Sequence, residues 1–166
     1  LRRFLMEKSI NSQMRITGVS ESKNSIAKFI NPIIEPIEVS PNFIIASIDI
    51  ETGAKTNQLY SIAVHITGKK GEHKKVFMIG EKPKRTSEII SFFADERDLL
   101  SNFFIWFKEA DPDIIIGWHV VGFDLLFLDN KCRELGISLD IARANGRVSI
   151  RQRKPSGHFI SITGRV

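Results

Sequence analysis

Phe43-Ile44-Ile45-Ala46-Ser47-Ile48-Asp49-Ile50-Glu51-Thr52 is the stretch on which the fold turns. From Phe43 to Ile50 both alternating rows are rich in apolar residues, which predicts a strand at the centre of a sheet covered on both faces. Asp49 and Glu51 stand two positions apart, so on a strand they point to one face. They close the most apolar strand of the chain at its carboxyl end, where open α/β sheets receive ligands. Carboxylates held side by side repel, and losing water makes the repulsion worse. A divalent cation that favours hard oxygen ligands, Mg²⁺ or Mn²⁺, relieves both costs. The plainer alternative is that the strand has ended by Asp49 and both acids are simply solvated.

Working outward, Leu59 to Ile66 and Lys74 to Ile79 have the composition of strands. Thr67-Gly68-Lys69-Lys70-Gly71-Glu72 joins them as a hairpin turn, and a three-stranded meander results. Asp95 to Ala110 has helical spacing, with Leu99, Leu100, Phe103, Phe104 and Phe107 on one face. Asp95 or a neighbour can cap its start, and Asp111-Pro112 ends it. Asp113 to Trp118, with Ile114, Ile115 and Ile116 in sequence, is expected to be another buried strand. Phe123 to Leu135 is expected to be a second helix, with Leu125, Leu128, Cys132 and Leu135 on one stripe and Gly136 as its stop. From Asp140 a basic loop leads to a strand near His158 to Ile162.

Residues 1 to 42 form a polar opening. Ile26 to Ile30 is strand-like, and Asn31-Pro32, Glu35-Pro36 and Ser40-Pro41 suggest an extended connector into the next unit. The order β-β-β-α-β-α is mixed α/β: an antiparallel meander plus parallel strands, flanked by helices, with a short N-terminal segment. That arrangement resembles the ribonuclease H-like fold.

The chain has 166 residues, enough for one ordinary domain and a short extra segment. It begins without Met, and Ile160 to Val166 has a strand pattern, so a piece of a longer polypeptide is expected. No apolar run approaches the ~20 residues of a membrane span, and charges interrupt Leu1 to Lys8, so a cytoplasmic location is expected. Cys132 is the single cysteine and sits in an apolar helical pattern, which suits a small core residue rather than a disulfide or zinc ligand. A net charge of +5 and a pI near 9.5 permit a polyanionic partner without requiring one.

Asp124 is a third candidate acid, placed after the strand-to-helix turn Gly117-Trp118-His119-Val120-Val121-Gly122-Phe123. An Asp in the first helical turn is also favoured by the helix dipole and free N–H groups, so helix capping is its competing role. If the strand from Asp113 lies beside the strand from Phe43, Asp124 reaches the sheet end that carries Asp49 and Glu51. Acids converging from neighbouring strand ends suit a pair of metal ions about 3.5–4 Å apart, a recurring solution for phosphodiester hydrolysis.

Ser-Ile-Asp-Ile-Glu-Thr at 47–52 resembles the first exonuclease motif of family B DNA polymerases. Asp-Pro-Asp-Ile-Ile-Ile-Gly-Trp-His-Val-Val-Gly-Phe-Asp-Leu at 111–125 resembles the second. The wording is nearest to a bacterial branch of the family, whose opening Arg3-Phe4-Leu5-Met6-Glu7 also resembles. The resemblance implies 3′→5′ removal of mispaired nucleotides from single-stranded DNA ends, with primer–template DNA and the remainder of a polymerase chain as partners. It divides the chain into part of a polymerase N-terminal domain with its connector, 1–42, and a 3′→5′ exonuclease domain, 43–166, that stops before a third motif. It implies that Asp49 and Glu51 hold one Mg²⁺ or Mn²⁺ ion and Asp49 with Asp124 a second. It places His119 and Phe123 at the terminal nucleotide, with an aromatic face open to any base at Phe123. Phe123 could equally be an ordinary core residue.

Two departures stand out. The family has Asn where this chain has His119, a larger group in place of a neutral amide donor and acceptor. The family's third motif supplies a Tyr and a further Asp, and Tyr60, the single tyrosine, lies in the wrong strand to replace that Tyr. Little or no nuclease activity is therefore expected of this chain alone. Arg143, Arg147, Arg151, Arg153 and Lys154 suit either a solvated loop or contact with a DNA backbone. Lys69, Lys70, Lys74 and Lys75 suit a solvated hairpin tip. A free-standing exonuclease and a catalytically silent DNA-binding domain of the same fold are the rival readings.

Overall fold

The computed structural model describes residues 2–11, 13–23, 26–69, 71–153 and 157–166. The chain divides into two units, Leu1–Pro41 and Asn42–Val166. The first holds a short helix α1 (Arg2–Glu7) and strands β1 (Met14–Thr17), β2 (Ser20–Lys23), β3 (Ile26–Phe29) and β4 (Ile33–Pro36). β1 pairs antiparallel with β4, and β2 with β3. The strand-like stretch Ile26 to Ile30 is found as β3, and part of the expected extended connector is β4. Pro36 is tolerated because it closes a strand, at a position where a missing amide donor costs least. Among the described residues of this unit Ile10 is the buried apolar one, and both ladders are largely exposed.

The second unit is built on a five-stranded sheet of β5 (Ile45–Thr52), β6 (Leu59–Gly68), β7 (Gly71–Ile79), β8 (Ile90–Phe93) and β9 (Ile114–Ile116). The spatial order is β8-β7-β6-β5-β9, with β5, β6 and β7 antiparallel, β9 parallel to β5 and β8 parallel to β7. This is the mixed sheet expected from the pattern, with β8 added. Ile90-Ser91-Phe92-Phe93 is too short to be separated by periodicity from the helix start that follows it.

The core lies on one face of the sheet. Ala46, Ile48 and Ile50 of β5, Ile62, Val64 and Ile66 of β6 and Phe77 of β7 are buried there with Leu99, Leu100, Phe103, Phe104 and Phe107 of α2 (Glu96–Ala110). Phe77 meets Phe103 edge-on, with centroids 5.6 Å apart, a preferred aromatic geometry. Asp95 caps α2 by accepting the Asp98 amide at 2.9 Å, and the chain leaves through Asp111 in the left-handed region at φ 44°. The other row of β5 is half-buried only to Ser47, and Asp49 and Glu51 are exposed. A strand apolar on both faces was expected, and β5 alternates instead. Its second row turns polar where it approaches the site.

β9 is shorter than the expected Asp113–Trp118 strand and half-buried at Ile114 and Ile115. Two anchors fix its start. The Asp113 carboxylate accepts the Ile44 amide at 2.9 Å, and the Asp113 carbonyl accepts the Val166 amide at 2.9 Å. The expected second helix begins two residues late: Val120–Asp124 forms a π-helical turn, and α3 runs Leu125–Glu134, with Gly136 beyond its end at φ 67°. Leu125, Leu128 and Cys132 are buried, and burial pushes the Cys132 thiol up to about 12, as suits an inert core residue.

β11 (Gly157–Ile162) is the strand expected near His158 to Ile162, and it pairs antiparallel with β10 (Val148–Arg153), which lies where only a basic loop was expected. Lys154 lies outside the described residues. Arg143 is not a free cation. Its guanidinium donates to Asp111 Oδ1 at 2.8 Å, to Asp113 Oδ1 at 2.7 Å and to the carbonyls of Asp111 and Gly164. Arg165 is buried beside it, donating to Asp111 Oδ1 and to the carbonyls of Pro112 and Ile141, with its guanidinium carbon 5.2 Å from the Phe107 ring centre. No helix of the described residues is long and apolar enough to cross a membrane.

Candidate active site

The site forms where two parallel strands part company. β9 pairs with β5 only from Ile45 to Ser47, and the chain then leaves the sheet at Gly117. A side chain at Gly117 would start 2.7 Å from the Ile48 carbonyl oxygen, so only glycine lets the chain cross β5 this closely. β5 itself continues to Thr52, with Asp49 and Glu51 on the face opposite the core. A bulge follows: Glu51 pairs with Ser61 and Thr52 with Leu59, which leaves Tyr60 unpaired. Bulges re-aim neighbouring side chains and recur beside active sites.

Asp124 comes back to this gap. It occupies the N-cap position of α3, yet its side chain makes no capping hydrogen bond. The helix-capping role is thereby set aside. Asp124 as a residue is 4% exposed, and its pKa is raised, first by burial and then by the negative charge of Asp49. The backbone amides of Asp124 and Ile50 and the neighbouring His119 pull the other way. Asp49 and Asp124 therefore share one corner of the fold, and Ile50 contributes both an amide to the site and an apolar side chain to the core.

The remaining candidates lie around that corner. Glu51 shares the Asp49 face and is exposed. The His119 imidazole lies across Gly122, where an added side chain would start 2.5 Å from Nε2. Phe123 is neither fully buried nor free: its ring leans on Phe127, with centroids 6.3 Å apart, and the remainder is exposed. Among the described residues no three His, Cys, Asp or Glu side chains converge closely enough to hold a metal ion. The donor set still suits a hard cation in kind, since a desolvated carboxylate that feels the charge of a second carboxylate gains from a positive charge nearby.

Behind the site, Lys131 of α3 is almost wholly buried and pairs with Glu96 at 3.3 Å and Glu134 at 3.0 Å. Glu96 accepts the Leu59 amide at 2.6 Å, and Glu134 accepts from Asn57 at 3.1 Å. The loop that follows the acidic pair is thereby tied to both helices. Sequence reasoning missed Lys131, because a lysine at that helical position is usually on a solvated face. It also missed the structural roles of Gly117 and Gly122, although two glycines bracketing a strand-to-helix turn are a usable signal for close backbone or side-chain approach.

The family model of DNA polymerase family B, exonuclease domain, matches residues 1–164. The chain belongs to that family. It is 30% identical over 169 aligned residues to DNA polymerase II of Escherichia coli, covering 99% of this chain and 21% of that protein. It is 34% identical over 91 residues to a DNA polymerase of Archaeoglobus fulgidus, across 55% of this chain and 11% of the relative. The structure of the family B DNA polymerase from the hyperthermophilic archaeon Pyrobaculum calidifontis shares the fold, with a TM-score of 0.62 at 21% identity, covering 99% of this chain and 21% of the larger one. The family B exonuclease chain thus spans about a fifth of the length of its full-length relatives.

Proposed function

We propose that this family B exonuclease unit serves proofreading, hydrolysing the phosphodiester bond at the 3′ end of single-stranded DNA as part of a DNA polymerase. The observation that carries it is buried Asp124 near the carboxyl end of β5, its carboxyl raised by burial and by the charge of Asp49, an arrangement that costs stability and suits a cation-assisted reaction. Asp49 with Glu51 would hold one Mg²⁺ or Mn²⁺ ion and Asp49 with Asp124 a second. Bound there, such ions lower the pKa of water and stabilise charge on the departing 3′ oxygen.

The chain's own residues orient the reaction. The Ile50 amide favours the charged form of Asp124, and the bulge at Tyr60 lies next to Glu51. His119, whose ring lies over Gly122, would hydrogen-bond the terminal nucleotide, and the exposed part of Phe123 would meet its base. Primer–template DNA and the remaining polymerase domains would be its partners. Since no three metal donors converge among the described residues, little digestion is expected of residues 1–166 alone.

The test is digestion of 3′-labelled single-stranded DNA by the protein containing this chain, with Mg²⁺, Mn²⁺ or chelator. Asp49→Ala and Asp124→Ala are each expected to lower the rate by about a hundredfold or more. Absence of digestion with either metal, in a folded protein, would favour a silent DNA-binding domain. Digestion of RNA but not DNA would point to a different nuclease.

A further inference from the structure

Trp118 stands where the chain leaves β9, and its side chain is fully exposed, at 101% of the reference value. A large apolar ring left wholly in water forgoes a substantial burial energy. The other tryptophan, Trp106, behaves as expected, packing edge-on against Phe77 at 5.8 Å beside the core. Trp118 is flanked by the residues of the site. Gly117 is pressed to the Ile48 carbonyl before it, and His119, which acts on the Asp124 charge, follows it. Phe123, the other exposed aromatic of the same turn, is five positions on.

We propose that Trp118 is a positioning residue for single-stranded substrate, its indole stacking on a nucleobase of the strand whose end lies at Asp49 and Asp124. The inference rests on the nuclease reading above and adds a contact to it. Stacking on an aromatic face discriminates little between bases, which suits a site that must accept whatever 3′ end is delivered. The close approach of Gly117 to β5 and the π-helical turn from Val120 fix the backbone on either side of Trp118, while its wholly exposed ring is free to turn toward a base.

Two measurements test this. With oligodeoxythymidylate in chelator, where no bond is cleaved, tryptophan emission of the chain should fall saturably, and Trp118→Ala should abolish the fall while Trp106 continues to emit. In the protein containing this chain, Trp118→Ala should raise KM for single-strand digestion about tenfold, near the low end of one base–aromatic stack, with kcat little changed and Trp118→Phe restoring most of the loss. Oligonucleotide binding seen by anisotropy without quenching, or no binding at all, overturns the proposal. So does an unchanged KM. Shielding of Trp118 from acrylamide in the larger protein before DNA is added would assign the ring to a protein contact and overturn it too. Unaltered digestion by Asp49→Ala would sink the nuclease reading separately, leaving the quenching result to judge Trp118.

Discussion

Both ends of one parallel strand pair carry aspartates, and the two ends treat them in opposite ways. At the start of β9, Asp111 and Asp113 meet the guanidinium groups of Arg143 and Arg165. Hydrogen bonds from Arg143 hold the Asp111 carboxyl below the ordinary carboxylate range. The Ile44 amide, followed by Arg143, does the same for Asp113. Beyond the other end, Asp124 is buried against the like charge of Asp49, and its carboxyl is raised. The first end is a finished structural contact that stitches the C-terminal residues to the sheet. The second is an electrostatic imbalance that folding alone would not favour, of the kind that accompanies catalysis.

Removing the buried cation should have the largest effect. Arg165→Met leaves the carbonyls of Pro112 and Ile141 without their donor, and a loss of about 3 kcal/mol is expected in chemical denaturation. A loss under about 1 kcal/mol would mean that the arginine end is not the firm one. Gly117→Ala comes next, since its new methyl group meets backbone at Ile48, and about 2 kcal/mol of overpacking is expected. Gly122→Ala should cost less, because the His119 ring it meets can turn aside.

Metal should act at one end only. At ten times its dissociation constant, Mn²⁺ is expected to stabilise the protein by about 1.4 kcal/mol in thermal melts, and Asp124→Asn should remove that gain. Equal stabilisation of the wild type and of Asp124→Asn would place the ion elsewhere. The smallest effect is a contrast of sign. Asp111→Asn should lower stability at pH 7 by about 1 kcal/mol, whereas Asp124→Asn should leave it unchanged or raise it. The depressed Asp111 and Asp113 carboxyls stabilise the fold above the ordinary carboxylate range, and that stability is lost as pH falls through their folded values. The raised Asp124 carboxyl does the reverse: its contribution is fully present below the ordinary value and lost as pH rises through the folded one. Melting curves from pH 7 to acid should therefore flatten in Asp111→Asn and steepen in Asp124→Asn.

Much of this was legible in the residues. Alternation and helical spacing are local, and they marked β5, β6, β7 and α2 within a few residues, together with the Asp95 cap and the Gly136 stop. The acidic pair and its common face followed from strand geometry. What escaped depends on partners that a segment's own pattern does not name. β8 and β10 are strands because they have partners, β7 and β11, that supply their hydrogen bonds. Arg143 looked like part of a cationic tail because its acids lie about thirty positions earlier.

By itself the sequence determined which residues can carry the chemistry, since side-chain type and two-residue spacing are properties of the chain. Only the tertiary structure decided which acids are matched by cations and which are left to repel. That depends on how far β9 follows β5 before Gly117 turns away, and on what burial then does to the charge it brings back at Asp124.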